Sequence, residues 1–226
     1  MSTTLLYRCW RTCAHCSISE DRNFYRHSNF FSLTMGQSHG SRQVEPGTVI
    51  DGVINTTVLC ALLTNIIFIR LAGFATSIFA NWAPNLFNYY VQHIRPFYTC
   101  NPHLNQSFLY GIWSTCTFNL SPMTCTLGHW DFANLAFGWC TITALGAFDY
   151  RKGGHLILWD CKLVIEFSSS TTILISSAAI FHSNISVSED EHRYSFTQYT
   201  AGGIFQWLAH GFQSEESYLM SLSMEA

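Results

Sequence analysis

The protein has 226 residues, of which 48% are hydrophobic and only 11% are charged, with 11 basic and 14 acidic side chains. Typical soluble domains carry about 25% charged residues, so this composition excludes a wholly disordered chain and leaves ample apolar material for a core. The net charge of −3 excludes a protein that attracts nucleic acid through its overall field, so a polyanion partner would need a local basic patch.

The first 45 residues differ from the rest of the chain. They hold five of the eleven Lys and Arg residues, few aliphatic residues and a Gly/Ser-rich segment at 36–41. We predict a poorly ordered arm over residues 1–45 that packs little against a domain spanning residues 46–220. Cys9, Cys13 and Cys16 have the spacing of some iron–sulfur or zinc ligand sets, but no alternating strand–helix pattern follows, so we predict no metal there.

The nine cysteines are scattered along the chain, and their number is odd. The first residues lack the charged start and long apolar stretch of a secretory signal, so we expect none. We therefore expect free thiols in a reducing compartment and an intracellular location.

From residue 46 to about residue 110 the pattern is helical. Apolar side chains recur at helical spacing between Val58 and Ile69, Pro84 stands where a new helix could begin, and Pro96 would end that helix. The uncharged stretch 52–69 contains two Asn and three Thr, which is polar for a spanning helix. We predict a buried helix there and no membrane partner.

From about residue 112 to residue 212 the pattern changes to β. Short runs rich in β-branched and aromatic residues, separated by turn signals, predict strands over 156–159, 163–167, 171–175 and 193–199. Many short strands with regular turns are typical of a sandwich or a closed β-fold.

A histidine followed two residues later by an acid occurs once, at His129-Trp130-Asp131, where chance would give about 0.6 such pairs. On a strand, residues i and i+2 point to the same face, so the two side chains could converge on one ion. His182 follows a predicted strand 53 residues later. Two His and one carboxylate form the ligand set of non-haem Fe(II) oxygenases. The alternative is a surface histidine near an acid.

Arg193 comes eleven residues after His182, and Ser195 would share its face of a strand. A guanidinium binds a carboxylate through two parallel hydrogen bonds, so Arg193 could hold one end of a keto acid that chelates the iron at the other. The alternative for Arg193 is a structural ion pair with a nearby acid, namely Glu189, Asp190 or Glu191.

Residues 118–212 resemble the catalytic core of Fe(II)/2-oxoglutarate dioxygenases, and more narrowly the fungal, transposon-associated branch of the TET/JBP family. The resemblance covers about residues 46–220, including the helical lead-in NWAPNLFNYY (81–90). It is carried by HWDFANLAFGWCTITALGAFD (129–149), GGHLILWDCKLVIEF (153–167), SSAAIFHSN (176–184) and RYSFTQYTAGGIFQW (193–207).

This resemblance implies a mainly β fold with N-terminal helices: a double-stranded β-helix, the jelly-roll or cupin-like barrel, over about residues 112–212. It implies that Fe(II) is bound by His129, Asp131 and His182. It also implies that 2-oxoglutarate is bound by Arg193 and Ser195, with O₂ as co-substrate. The implied reaction is hydroxylation of the 5-methyl group of a pyrimidine base in DNA, in the nucleus, with Asn134 contacting the base.

Arg151 and Lys152, with Lys162, are the clustered cations near the predicted barrel and are our candidates for phosphate contacts. Two other functions stay open. The same chemistry could act on a protein or a small molecule, or the chain could be an inactive β-barrel module derived from a mobile element. The sequence leaves the oligomeric state open.

Overall fold

The computed structural model describes residues 31–40, 43–49 and 53–225. Two strands come first and are followed by three helices, then by seven strands and two more helices. In chain order these are β1 (Ser32–Ser38), β2 (Gly47–Val49), α1 (Val53–Leu63), α2 (Ile66–Trp82), α3 (Pro84–Cys100), β3 (Thr115–Asn119), β4 (Cys140–Ala147), β5 (Leu156–Leu158), β6 (Leu163–Ile165), β7 (Thr172–Ile175), β8 (His182–Asn184), β9 (His192–Tyr199), α4 (Gly202–Ala209) and α5 (Glu215–Glu225).

The strands form two antiparallel sheets. The main sheet has six strands in the order β2-β1-β3-β9-β4-β7, and the small sheet has three in the order β6-β5-β8. One apolar cluster contains residues of both sheets and packs them face to face: Cys140, Ala144, Leu156, Leu158, Phe167 and Ile175. The predicted β-rich fold and the four predicted strands are confirmed. Among the described strands, no ladder joins the two sheets, so they form two facing layers and closure into a barrel is not found.

The main sheet separates a helical layer from the space between the sheets. In β3, Cys116 and Phe118 join the apolar cluster that includes α1 and α2, whereas Thr117 and Asn119 point the other way and line a cavity. Strand β9 alternates in the same manner. Successive side chains of a strand point to opposite faces, so the helices cover one face and leave the other for polar side chains.

The prediction that residues 1–45 form a poorly ordered arm is wrong for residues 32–38. Strand β1 pairs with β3 from Ser32 opposite Asn119 to Gly36 opposite Thr115, and Leu33 is 0% exposed. Gly36 has a φ of +144°, and a Cβ there would lie 2.2 Å from the carbonyl oxygen of Ser114. Close packing of β1 against the residue before β3 therefore requires a glycine at position 36. Residues 1–30, with the three cysteines of the spaced motif, lie outside the described residues.

Pro84 begins helix α3 as predicted, at the position where proline is favoured. The prediction that Pro96 ends this helix is wrong, because α3 continues to Cys100. The helix buries Tyr90, Ile94 and Phe97, and this packing offsets the backbone hydrogen bond that a proline removes.

Among the helices of the described ranges, none is by itself long and apolar enough to cross a membrane. Residues Thr56–Leu63 and Ile66–Trp82 pass that test only as a pair, and the chain bends by 63° between them. Five of the described cysteines, at positions 60, 100, 116, 140 and 161, are free thiols.

We expect Leu33→Ala to lower the free energy of unfolding by about 2–5 kcal/mol, because it leaves a cavity between the main sheet and its helices. Val44→Ala is the matched control. Val44 is 73% exposed, and its truncation should change stability by less than about 0.5 kcal/mol. Urea unfolding followed by fluorescence measures both. Equal midpoints for Leu33→Ala and the wild type would show that β1 is dispensable.

Candidate metal centre and carboxylate site

An antiparallel bridge brings two distant histidines together. The backbone N–H of His129 donates to the carbonyl of His182, and the N–H of His182 donates back, each at 3.0 Å. Two residues on, the N–H of Asp131 donates to the carbonyl of Ser177 at 3.0 Å. The segment that carries His129 and Asp131 therefore runs along β8 and the loop before it, and both side chains face the space between the sheets.

The predicted meeting of His129, Asp131 and His182 is confirmed. One ligand atom from each of these side chains lies within 4.8 Å of the other two. The Nε2 atom of His129 is 3.5 Å from Oδ1 of Asp131, and the two imidazole centroids are 4.3 Å apart. Two imidazoles and one carboxylate at this spacing can bind one divalent ion and leave its other positions free.

Hydrogen bonds set the tautomer of both histidines. The Nδ1–H of His129 donates to the carbonyl of Leu127 at 2.8 Å, and the Nδ1–H of His182 donates to the carbonyl of Ile180 at 2.8 Å. A carbonyl can only accept, so each ring has its proton on Nδ1 and keeps the Nε2 lone pair for a metal. Burial lowers the pKa of His182, and the neighbouring His129 lowers it further. The neutral form that binds metal is thereby favoured.

A cavity of about 290 Å³ connects the triad to three of the other predicted site residues. Its lining includes the triad together with Asn134, Arg193 and Ser195. Strands β1 and β3 contribute four more polar residues, which the sequence analysis did not identify: Ser32, Thr34, Thr117 and Asn119. One continuous space therefore holds a possible metal site and a buried cation.

Arg193 is 2% exposed and has no acidic partner among the described residues. Its Nη1 donates to the carbonyl of Thr124 at 3.0 Å, and its Nε has no hydrogen-bond partner in the same part of the chain. The Glu191 carboxylate instead accepts from the backbone N–H groups of Asp149 and Ser188. The structural ion pair considered as an alternative is therefore not formed with Glu191.

Burial lowers the pKa of Arg193 to about 10, so the guanidinium is still protonated at neutral pH. A desolvated cation with unused donors stabilises a bound anion. Gly154 makes room for two side chains, because a Cβ at this residue would lie 2.7 Å from the ring of Phe148 and 3.2 Å from Cδ of Arg193.

Ser195 accepts a hydrogen bond from Nδ2 of Asn119 at 2.8 Å. Both residues are buried, and both line the cavity. Asn119 had no local signal in the sequence, since an Asn at the end of a strand is ordinarily a turn residue. Its role follows only from the pairing of β3 with β9.

The three predicted substrate contacts lie in two different places, one at the cavity and one away from it. Asn134 lines the cavity and donates from Nδ2 to Oγ of Ser177 at 3.2 Å. Arg151 and Lys152 lie in the turn after β4 and do not line it. Lys152 pairs with Asp149 at 3.4 Å, and Arg151 lies 5.6 Å from the ring centroid of Tyr150. Their role as phosphate contacts stays a prediction.

The residues present fit Fe(II) and 2-oxoglutarate. The triad offers nitrogen and oxygen donors of the kind that Fe(II) binds. Arg193 offers unused buried donors in the same cavity, which suits a carboxylate at some distance from the metal.

No protein-family model and no curated protein matches the sequence. Among solved structures, the chain is similar to NgTET1 in complex with 5mC DNA, with a TM-score of 0.61 and 13% identity over 90% of this chain and 70% of that one. A Pseudomonas putida prolyl-4-hydroxylase matches with a TM-score of 0.42 and 13% identity, over 88% and 85%. OsALKBH1 matches with a TM-score of 0.46 and 10% identity, over 88% and 90%.

Only the first of these TM-scores exceeds 0.5, so the fold is assigned by its likeness to NgTET1. The chain combines this fold with its own His-Asp-His triad. The likeness shows the fold alone, whereas the triad and the buried Arg193 are features of this chain that fit the predicted cofactors, Fe(II) and 2-oxoglutarate.

We expect His182→Ala to weaken Mn(II) binding more than about a hundredfold, since changes to the partners of metal ligands alone cost about 10- to 100-fold. In the wild type, affinity should fall as the pH decreases, because protons compete for Nε2 of His182. Burial lowers the pKa of His182, so protonation of this ligand begins below the ordinary range of histidine. Calorimetric titration with Mn(II) measures both effects, and unchanged affinity in His182→Ala would remove this residue from the site.

We expect Arg193→Met to raise the unfolding free energy of the ligand-free protein by about 1–4 kcal/mol, because it removes a buried charge with no acidic partner in the described chain. The same variant should lose the increase in Tm that 2-oxoglutarate gives the wild type. Thermal unfolding with and without the dicarboxylate measures both effects. If Arg193→Met were less stable than the wild type and still responded to 2-oxoglutarate, the anion would bind elsewhere.

Proposed function

We propose that the protein is an Fe(II)- and 2-oxoglutarate-dependent dioxygenase on a double-stranded β-helix, and that it hydroxylates the 5-methyl group of a pyrimidine base in DNA. The observation that carries the proposal is the single cavity shared by the triad and Arg193. Neither feature alone would indicate this chemistry, because a triad could hold a structural ion and a buried arginine could bind any anion.

His129, Asp131 and His182 would hold Fe(II), and Arg193 with Ser195 would hold the distal carboxylate of 2-oxoglutarate. When bound, these cofactors supply an oxidation in which 2-oxoglutarate and O₂ become succinate and CO₂, and one oxygen atom enters a substrate C–H bond. The Nδ1–H contacts to Leu127 and Ile180 place the proton of each neutral imidazole on Nδ1 and direct the Nε2 lone pairs to the metal. The protein also keeps the anion in a desolvated pocket.

Two observations support a DNA substrate. Asn134 lines the cavity, where its amide could meet the polar edge of a base turned out of the duplex. The fold is also similar to that of NgTET1, a protein solved with 5mC DNA. A nuclear location belongs to the same proposal.

One observation favours a second candidate, the same reaction on a protein or a small molecule. Phosphate contacts dominate the affinity of proteins for DNA. Arg193 is the one Lys or Arg among the described residues that line the cavity, and it is buried. A substrate without phosphates would need no cation at the mouth.

We expect the purified protein to release succinate from 2-oxoglutarate when Fe(II) and O₂ are present, and Asp131→Ala to release none because a metal ligand is lost. Duplex DNA containing 5-methylcytosine should stimulate release, and mass spectrometry of the digested DNA should detect the hydroxymethyl base. Unmethylated DNA of the same sequence is the control.

Each result separates one candidate from the others. Succinate release that DNA does not stimulate would favour a protein or small-molecule substrate. No succinate from a protein that binds Mn(II) and 2-oxoglutarate would indicate an inactive module.

A further inference from the structure

Three polar residues lie side by side across the wall of the cavity, next to Arg193. In the register of the main sheet, Ser32 of β1 is opposite Asn119 of β3, and Asn119 is opposite Ser195 of β9. All three line the cavity, and Asn119 and Ser195 are each 6% exposed. These three residues are thus part of the site, and backbone pairing on both sides of Asn119 fixes their relative positions.

The contact between Asn119 and Ser195 has a direction. The Nδ2 group of Asn119 donates to Oγ of Ser195 at 2.8 Å. A serine hydroxyl has one proton and two lone pairs, so accepting from the amide leaves that proton to be donated elsewhere. Among the described residues, Oγ of Ser195 has no other hydrogen-bond partner within reach.

The other end of the amide is unsatisfied. Oδ1 of Asn119 is buried and has no partner among the described residues, and buried oxygens of this kind are rare. If the amide were reversed, Oδ1 would accept the proton of Ser195, and the hydroxyl could no longer donate to an anion. The observed orientation keeps that proton available beside Arg193.

We infer that Asn119 is a positioning residue of the carboxylate site: its amide directs the Ser195 hydroxyl toward the carboxylate that Arg193 binds. The inference rests on the proposed function, because it takes this carboxylate to be that of 2-oxoglutarate. Asn119 acts through Ser195 and does not itself contact the anion. Three residues from two adjacent strands would then form one anion site.

Asn119→Asp is the most direct variant, since it keeps the shape of the side chain. An aspartate accepts the proton of Ser195 and adds a negative charge next to the anion. We expect the Kd of 2-oxoglutarate to rise by about 100-fold, with the Mn(II) affinity unchanged, because the triad is untouched. Calorimetry on the Mn(II)-loaded full chain without O₂ measures both constants independently of turnover.

A double-mutant cycle tests whether Asn119 acts through Ser195. We expect Asn119→Ala and Ser195→Ala each to raise the Kd of 2-oxoglutarate by about tenfold, and the double variant to be no weaker than Ser195→Ala alone. If the increase in Kd in the double variant equalled the product of the two single increases, the inference would be overturned, because Asn119 would then contribute independently of Ser195. If Asn119→Ala fails to bind Mn(II), Asn119→Leu replaces it in the cycle and keeps the side-chain size.

Gln198→Leu is the matched control. Gln198 is also a buried amide of the main sheet with an unpartnered oxygen, but it does not line the cavity. It should change the Tm and leave the Kd of 2-oxoglutarate as in the wild type. If Gln198→Leu weakened 2-oxoglutarate as much as Asn119→Ala does, the effect would be structural and the inference would fail.

Arg193→Met separates this inference from the proposed function. If Arg193→Met binds 2-oxoglutarate normally, the proposed anion site is wrong and the inference falls with it. If Arg193→Met abolishes binding while Asn119→Asp and Asn119→Ala bind normally, the proposed function stands and only the role of Asn119 is overturned.

Discussion

Arg193 carries its charge inside the protein, and much of the site depends on how that charge is accommodated. Its backbone pairs with Gly146 in β4, and its side chain has only the carbonyl of Thr124 as a described partner. A larger residue at Gly154 would crowd this side chain and the ring of Phe148. Such an arrangement costs stability in the ligand-free protein, and a bound anion would offset that cost. In the proposed function, the buried cation would therefore select a ligand of negative charge.

The alternation of side chains in β3 and β9 is what allows one sheet to serve both a core and a polar pocket. Phe118 and Phe196 pack against the helical layer, while their neighbours Asn119 and Ser195 face the opposite way. A shift of the register by one residue would exchange these two sets. Strand β1 adds to the apolar core through Leu33 and to the polar wall through Ser32, which explains why the N-terminal part of the chain belongs to the site.

The metal triad could be predicted from the sequence because its first two members follow the period of a strand and its third lies in a recognisable segment. The helical lead-in and the later strands could also be predicted from the sequence, since they depend on local periodicity. Asn119 and β1 could not be predicted, for different reasons. Asn119 matters only through its cross-strand neighbour, which the local sequence does not reveal. A glycine in a Ser-rich segment suggests a flexible loop, and only the structure shows that Gly36 packs closely against Ser114. The continuation of α3 past Pro96 likewise depends on the burial of the helix against the core, which the local sequence does not reveal.

The bridge between His129 and His182 also constrains the order of events during folding. Pairing residues 53 positions apart requires a long loop to close, and such contacts form more slowly than local ones. Before the bridge forms, His182 is not held beside His129 and Asp131, and two ligands bind a metal ion more weakly than three. In the proposed function, tight affinity for iron would therefore arise only once the bridge has formed. Iron uptake would then be a late step of maturation, and chains without the bridge would be spared the oxidative chemistry of a prematurely bound metal.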